Sequence, residues 1–417
     1  MKRFLSIILV LTVVSMISGS FVGCKGTTTS TASISTTSIT TPLKQATIII
    51  GTSTPLTGPA ASYGLGVMHG VQLAFDDANA AGGLTVGDTH YTFKVISLDD
   101  QYDTATSTNV VRTLVNQDGA QYLFNFNTDT AVALESELNT EKVIDFTVCT
   151  NDAILDNAAS SYTFRTANAY TMHIPLWTSW IAKNYPNAKT MSLIALNNTQ
   201  GNEGLTDSIA AAKASNFTIN SSVLYDQGTT DFTPFLTKIL ASNPDMLMIT
   251  AAPTGDAALI IKQARNSGYK GLIAAQPKQA AKDMISIAGE ADLEGVITDS
   301  LALVAPQVSP VILGLPAREV AKWGTSYGVT WDFYCEATLM FNAMQRANSV
   351  DTTAVKNILQ DPTQVWPYLL FPGSTSAFDA AYAKSIYGAN AINQITNPFA
   401  ICVIHNGQDT IAAITSP

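Results

Sequence analysis

The sequence predicts an α/β protein of two lobes, and three observations predict it. From Ala46 onward short apolar runs alternate with longer amphipathic ones; the alternation restarts near Ala188; and a late helical run and a late strand have no sheet of their own to join. Strand–helix–strand alternation with short connections builds a parallel sheet covered by helices on both faces.

Taken in order, "ATIIIGTS" from Ala46 reads as a strand and "YGLGVMHGVQLAFDDANAAGG" as a helix stopped by Gly82 and Gly83. Glycine ends a helix readily because it accepts the left-handed conformation there. "YTFKVISLDD", "AQYLFNF" and "VIDFTVC" follow as strands, separated by the helical runs "TATSTNVVRTLVNQDG" and "DTAVALESELNTEK". The second series runs through the strands "AKTMSLIALNN", "INSSVLYD", "DMLMITAA" and "YKGLIAAQ", with "NEGLTDSIAAAKASNF", "FTPFLTKILASNP" and "DAALIIKQARNSG" as its helices. "WDFYCEATLMFNAMQRANS" and "PFAICVIHNG" return to complete the lobes. The boundaries that follow are 46–165 with about 299–362 for the first lobe, and 166–298 with about 363–417 for the second. A chain that crosses between lobes more than once makes a hinge beside a cleft, and ligands of such sheets bind at the carboxyl ends of the strands.

The N-terminus carries address information. "MKRFLSIILVLTVVSMISGSFVGC" has two cations, an uncharged stretch and small residues near its end, the layout of a secretory signal over residues 1–23. "FVGC" resembles the lipobox of bacterial lipoproteins, which makes Cys24 the lipidation site. Residues 24–45 read as a tether: twelve of the fifteen residues from Thr27 to Thr41 are Ser or Thr, too polar to bury a core. The body of the protein is then expected outside the cytoplasmic membrane, held to it by lipid. Of the 417 residues 46 % are hydrophobic and 13 % charged, and the net charge of −10 speaks against nucleic acid and against a polybasic grip on anionic lipid. Besides Cys24 the chain has Cys149, Cys335 and Cys402, whose spacing fits no zinc pattern and which read as small buried hydrophobes.

One loop poses the functional question. "IIGTSTPLTGPAASYGLGVMHG" ends in Gly64, Gly66 and Gly70, a Gly-x-Gly-x-x-x-Gly run at a helix start. A dinucleotide loop would need its tight turn directly after the strand, yet the glycines lie far beyond Ile50, and an exported protein meets no pool of nicotinamide cofactor. The four histidines are isolated, no nucleophile elbow or Walker loop occurs, and "LDDQYD" lacks the glycine and late glutamate of a calcium loop. Asp99, Asp100 and Asp103 read instead as a solvated acid cluster. The sequence offers no catalytic constellation, no metal site and no cofactor. The loop reads as a grip: Thr52, Ser53, Thr54 and Thr57 supply hydroxyls, and Tyr63 supplies an amphipathic ring at a helix N-terminus, which suits a small polar or zwitterionic solute.

These residues resemble the opening of the periplasmic type I solute-binding proteins of the branched-chain amino-acid (Leu/Ile/Val-binding-like) transporter class. The resemblance extends through "VISLDDQYDTATSTNVVRTLVNQDGAQYLF", "FRTANAY", "IIKQARNSGYKG" and "YGANAINQITNPFAICVIHNGQ". It implies two Rossmann-like lobes with parallel sheets flanked by helices, joined by a three-segment hinge. It also implies a small-molecule solute, an ABC permease and ATPase pair as partners, a monomer, and no enzymatic activity. The family's ligand contacts map onto Tyr63, Thr128, Asp129, Cys149 through its backbone, and Thr150 in the first lobe.

In the second lobe the match to amino-acid binders breaks. Gly201 or Asn202, and then Pro253, stand where aromatics are expected. Gln276 and Lys278 stand where the family carries the acid that neutralises an ammonium. An ammonium buried without a carboxylate would be costly, so the expected solute is a carboxylate, amide or aromatic acid rather than an α-amino acid, unless Asp129 or Glu203 substitutes. Tyr170 is a further cleft candidate. A branched-chain amino-acid binder and an extracytoplasmic ligand sensor stay open as alternatives.

Overall fold

A computed structural model describes residues 42–148, 161–299, 307–378 and 393–415, with Ile154, Ala381, Lys384 and Ser385. The expected signal and nearly all of the tether, with Cys24, Cys149 and Thr150, lie outside the described residues.

The first sheet has six strands in the order β2-β3-β1-β4-β5-β6. They are β1 (Lys44–Thr54), β2 (Leu84–Val86), β3 (Thr89–Asp99), β4 (Tyr122–Asn125), β5 (Ile144–Thr147) and β6 (Thr163–Arg165). All neighbours are parallel except the hairpin pair β2–β3. β1 lies centrally, Ile50 beside Val95 on one side and Tyr122 on the other. Every residue of "YLFN" in β4 and "IDFT" in β5 is buried, as parallel strands covered on both faces require. The covering helices are α1 (Ala61–Ala80), α2 (Thr104–Asn116) and α3 (Thr128–Glu141).

The chain then passes to the second lobe through α4 (Tyr170–Asn184), β7 (Thr190–Leu196), α5 (Thr199–Ala214), β8 (Thr218–Tyr225) and α6 (Thr233–Leu240). β9 (Met246–Thr250), α7 (Thr254–Asn266), β10 (Leu272–Ala275), α8 (Ala281–Ala288), α9 (Glu290–Leu293) and β11 (Ile297–Thr298) complete this passage. It returns to the first lobe with α10 (Pro310–Leu313), α11 (Leu315–Trp323), α12 (Thr330–Ala347), α13 (Thr352–Leu359) and a small sheet of β12 (Trp366–Pro367), β13 (Thr375–Phe378) and β14 (Ile395–Thr396). It ends in the second with β15 (Phe399–His405) and β16 (Gln408–Thr415), giving the order β16-β15-β11-β10-β9-β7-β8. Among the described residues the chain passes between the sheets at Thr166–Ala169 and at Asn397–Pro398, and it is back in the first lobe by Pro310.

The glycine run finds its explanation in packing. A Cβ on Gly64 would lie 1.8 Å from the Pro55 carbonyl oxygen, one on Gly66 2.6 Å from Val329 Cγ2, and one on Gly70 2.4 Å from the Thr330 carbonyl oxygen. The stripe lets α1 sit against its own entry loop and against α12. α1 is tied to α11 by the Arg318–Asp77 and Lys322–Asp76 ion pairs and to α12 by Tyr334 Oη donating to Asp77 at 2.7 Å. His69 is buried there too, stacked on Trp323 at 3.8 Å and 2.9 Å from Glu319.

The assignment of everything beyond about 363 to the second lobe needs correction. Trp366, Phe378 and Ile395 are buried in the core of the first lobe, and the Phe378 ring lies 5.1 Å from Phe164. Phe378 packs on Phe146 of β5 as well as on Phe164 of β6. Among the described residues beyond 363, the segment from Phe399 is the one that pairs with the second sheet, β15 running antiparallel to β11. Cys335 and Cys402 are buried, as small hydrophobes are.

Candidate functional site

Between the lobes lies a cleft lined by residues at the carboxyl ends of the strands. It leaves about 80 Å³ for the centres of water-sized spheres, where one water needs on the order of 10–15 Å³. The space therefore suits a small organic molecule and no macromolecule.

From the first lobe come Tyr63, in the first turn of α1, and Phe126, just past β4, with ring centroids 4.7 Å apart. Tyr102, beyond β3, continues this aromatic wall 5.7 Å from Phe126. α12 adds Trp331 and Asp332. Burial raises the Tyr63 hydroxyl well above its ordinary pKa, against the pull of Lys278, so it stays a neutral donor and acceptor.

From the second lobe come His173, Gln200, Pro253, Thr254, Lys278 and Asp299. Lys278 follows β10 in the left-handed conformation, φ 50°. Its Nζ is ion-paired with Asp332 across the cleft, and its backbone N–H donates to Asp299. Burial works against the ammonium, but Asp332, Tyr63 and Glu336 together hold its pKa above the usual lysine value. Burial raises the Asp299 carboxyl, which His173 and Lys278 oppose, and raises Glu336 under the cleft floor well above the usual range.

At the hinge two crossings are stitched together. Asn168 Nδ2 donates to the Asn397 carbonyl at 2.8 Å, and Asn397 N–H donates to Asn168 Oδ1 at 3.1 Å. Buried Arg165 donates to Gln394, whose Nε2 donates to the Ala167 carbonyl at 2.9 Å.

Of the residues expected at the site, Tyr63 and Lys278 line the cleft. Gln276 and Tyr170 stand one layer behind it. Gln276 is fully buried, its Oε1 2.8 Å from His173 Nε2, while its Nε2 donates to Thr250 Oγ1 at 2.7 Å. Tyr170 Oη accepts from Gln200 Nε2 at 3.1 Å. Each thus orients a residue that does line the cleft. Thr128 and Asp129 occupy the first turn of α3, outside the lining, and Phe126 reaches in two residues earlier. Cys149 and Thr150 lie outside the described residues, next to lining Val148.

Sequence reasoning missed Tyr102, His173, Gln200, Asp299, Trp331 and Asp332. Asp299 had a usable signal, since it directly follows a strand of the second sheet, where such folds place ligand contacts. The acid run at the end of β3 is corrected as well. Asp100 is fully buried, accepting from Tyr102 N–H at 2.9 Å and Ser53 Oγ at 3.2 Å, rather than solvated. Among the described residues no group of three His, Cys, Asp or Glu side chains is placed to hold a metal ion, and no helix is long and apolar enough to cross a membrane.

Two α/β lobes, a stitched hinge and a lined interlobe cleft define a two-lobed solute-binding architecture. The family model described as "periplasmic binding protein" matches residues 47–391, and the chain belongs to that family. It is 25 % identical over 254 residues to a Leu/Ile/Val-binding protein homolog of Brucella abortus, covering 60 % of this chain and 66 % of that protein. Its fold is similar to that of a leucine-binding protein of Thermotoga maritima, with TM-score 0.73, 19 % identity, and 89 % and 99 % of the two chains covered. It is similar also to an ABC-transporter solute-binding protein of R. palustris in complex with benzoate, with TM-score 0.72, 13 % identity, and 89 % and 97 % covered.

Proposed function

We propose that this chain is the extracytoplasmic substrate-binding component of an ABC importer. It captures a small polar organic solute between its lobes and delivers it to permease and ATPase subunits, without a chemical step of its own. The observation that carries the reading is the cleft, lined from both lobes and bridged by Lys278 and Asp332. Family membership supports it. A monomer tethered through a lipid on Cys24 is the matching form of the protein at the membrane.

The aromatic wall of Tyr63 and Phe126 beside the Lys278 ammonium supports a carboxylate, amide or aromatic acid as solute, and one relative in fold holds benzoate. A second reading has its own observation. The ammonium of an α-amino acid needs a carboxylate partner, and Asp299 and Asp332 both line the cleft. A branched-chain amino acid therefore fits as the alternative. A sensor role would use the same cleft with a receptor in place of the permease.

The test is a thermal-shift screen of the purified protein with leucine, isoleucine, valine, acetamide, benzamide and benzoate. A solute at 100 times its dissociation constant adds about 2.7 kcal/mol, which raises the melting temperature by a few degrees. No shift with any small organic solute in an extended panel sinks the reading.

A further inference from the structure

The turn Asp99–Asp103 is built to aim one side chain. Asp99 Oδ1 accepts from the N–H groups of Leu56 at 2.8 Å and Gln101 at 3.0 Å, and its Oδ2 accepts from Thr57 Oγ1 at 2.7 Å. Buried Asp100 accepts from Tyr102 N–H at 2.9 Å and is anchored by Ser53 Oγ at 3.2 Å and Ser107 Oγ at 3.4 Å. These bonds hold two successive side-chain-bearing residues, Gln101 at φ 55° and Tyr102 at φ 56°, in the left-handed region. Bulky residues adopt it rarely, so the local bonds must impose it.

The outcome is that Tyr102, beside Phe126 of its own lobe, also reaches the opposite one. Its ring packs against the core of the second lobe while lining the cleft. Its Oη donates to Gln200 Oε1 at 3.4 Å, and its carbonyl accepts from Gln227 Nε2 at 3.1 Å, both partners belonging to the second lobe. The loop held by Asp99 reaches across as well, the Pro59 carbonyl accepting from Gly255 N–H at 3.2 Å. One aspartate pair thus couples the entry loop of α1 to the Tyr102 turn, and both touch the opposite lobe.

We propose that Tyr102 is the gate of the cleft: a first-lobe side chain that docks on Gln200 and Gln227 when the lobes close and sets the rate at which solute escapes. The proposal rests on the solute-binding reading above. A gate made only in the closed form acts on dissociation and leaves encounter unchanged.

The experiment uses stopped-flow tryptophan fluorescence, with Trp331 as a reporter in the lining, and isoleucine, benzamide and benzoate as probes. Tyr102→Ala is expected to speed escape at least tenfold with association changed less than threefold. Tyr102→Phe, which keeps the ring and loses the bond to Gln200, is expected to speed it two- to fivefold. Escape within twofold of wild type for Tyr102→Ala overturns the proposal. Hydrogen exchange of the solute-free protein gives an independent arm at Gly255 N–H and at Gly328 N–H, which donates across the lobes to Asp283 at 2.8 Å. Faster exchange at both amides in Tyr102→Ala, at an unchanged melting temperature, supports the gate; unchanged exchange overturns it. If none of the probes binds wild type, their fit to the cleft fails while the exchange arm still decides the role of Tyr102.

Discussion

The ammonium of Lys278, on the second lobe, is ion-paired with the carboxylate of Asp332, on the first. Removing one partner of a permanently buried pair costs about 3–5 kcal/mol. Here opening the cleft rehydrates the orphaned group, so the loss should appear as opening rather than unfolding. Asp332→Asn is expected to lower the unfolding free energy by about 1 kcal/mol or less, well below that range, while expanding the radius of gyration in small-angle scattering. A large drop in melting temperature with unchanged scattering would contradict this.

Asp299 is the carboxylate that the proposed amino-acid reading assigns to a solute ammonium. It is buried at the wall and accepts the Lys278 N–H, which an asparagine oxygen can also accept. Asp299→Asn removes a negative charge without emptying the space. Isoleucine binding is expected to weaken at least tenfold and benzoate binding to tighten, both read by calorimetric titration, because the ammonium loses a partner and the carboxylate loses a repulsive neighbour.

Asp145 lies fully buried in β5, and burial, with the negative charge of Glu135 nearby, pushes its pKa up to about 7. A carboxyl whose folded pKa is raised contributes stability that is fully present below its unfolded pKa and lost as pH rises through the folded value. Stability should therefore fall from about pH 4 to pH 7 on this account. Asp145→Asn is expected to flatten that slope and to exceed wild type by about 1–3 kcal/mol at pH 8, with little difference at pH 4. Urea unfolding at the two pH values measures it.

Gly70→Ala places a methyl group 2.4 Å from the Thr330 carbonyl oxygen and 2.8 Å from Tyr334 N. Neither is a flexible side-chain tip, so α1 and α12 must separate. A loss of about 1–3 kcal/mol is expected from overpacking, seen as a lower urea midpoint at unchanged m-value. Gly82→Ala, where nothing lies within 4 Å but φ is 101°, tests backbone conformation instead and should cost about 1 kcal/mol.

What the sequence revealed tracks how local each cause is. Strand–helix alternation depends on neighbours a few residues apart, and it placed both sheets. Tyr63 was legible from its place at a helix start, and Lys278 only through the family resemblance, which pointed to the turn that holds it. Asp332 was not, because it opens a helix far along the chain and meets Lys278 only across the two lobes. Asp100 looked solvated because its partner Ser53 lies on the neighbouring strand, 47 residues earlier. Trp366 and Phe378 gave no sign of which core they would fill, since an apolar residue does not name its sheet.

The glycine stripe on α1 also fixes an order of events in folding. The helix at 61–80 rests on the one at 330–347, so the first lobe is closed by chain made late. The second lobe in turn needs the strand at 399–405 beside the one at 297–298. Neither lobe is a contiguous stretch that could fold to completion while the rest is still emerging. Contacts of such long sequence separation carry a loop-closure cost before they return any stability. The final packing of each lobe therefore waits for chain that is made late.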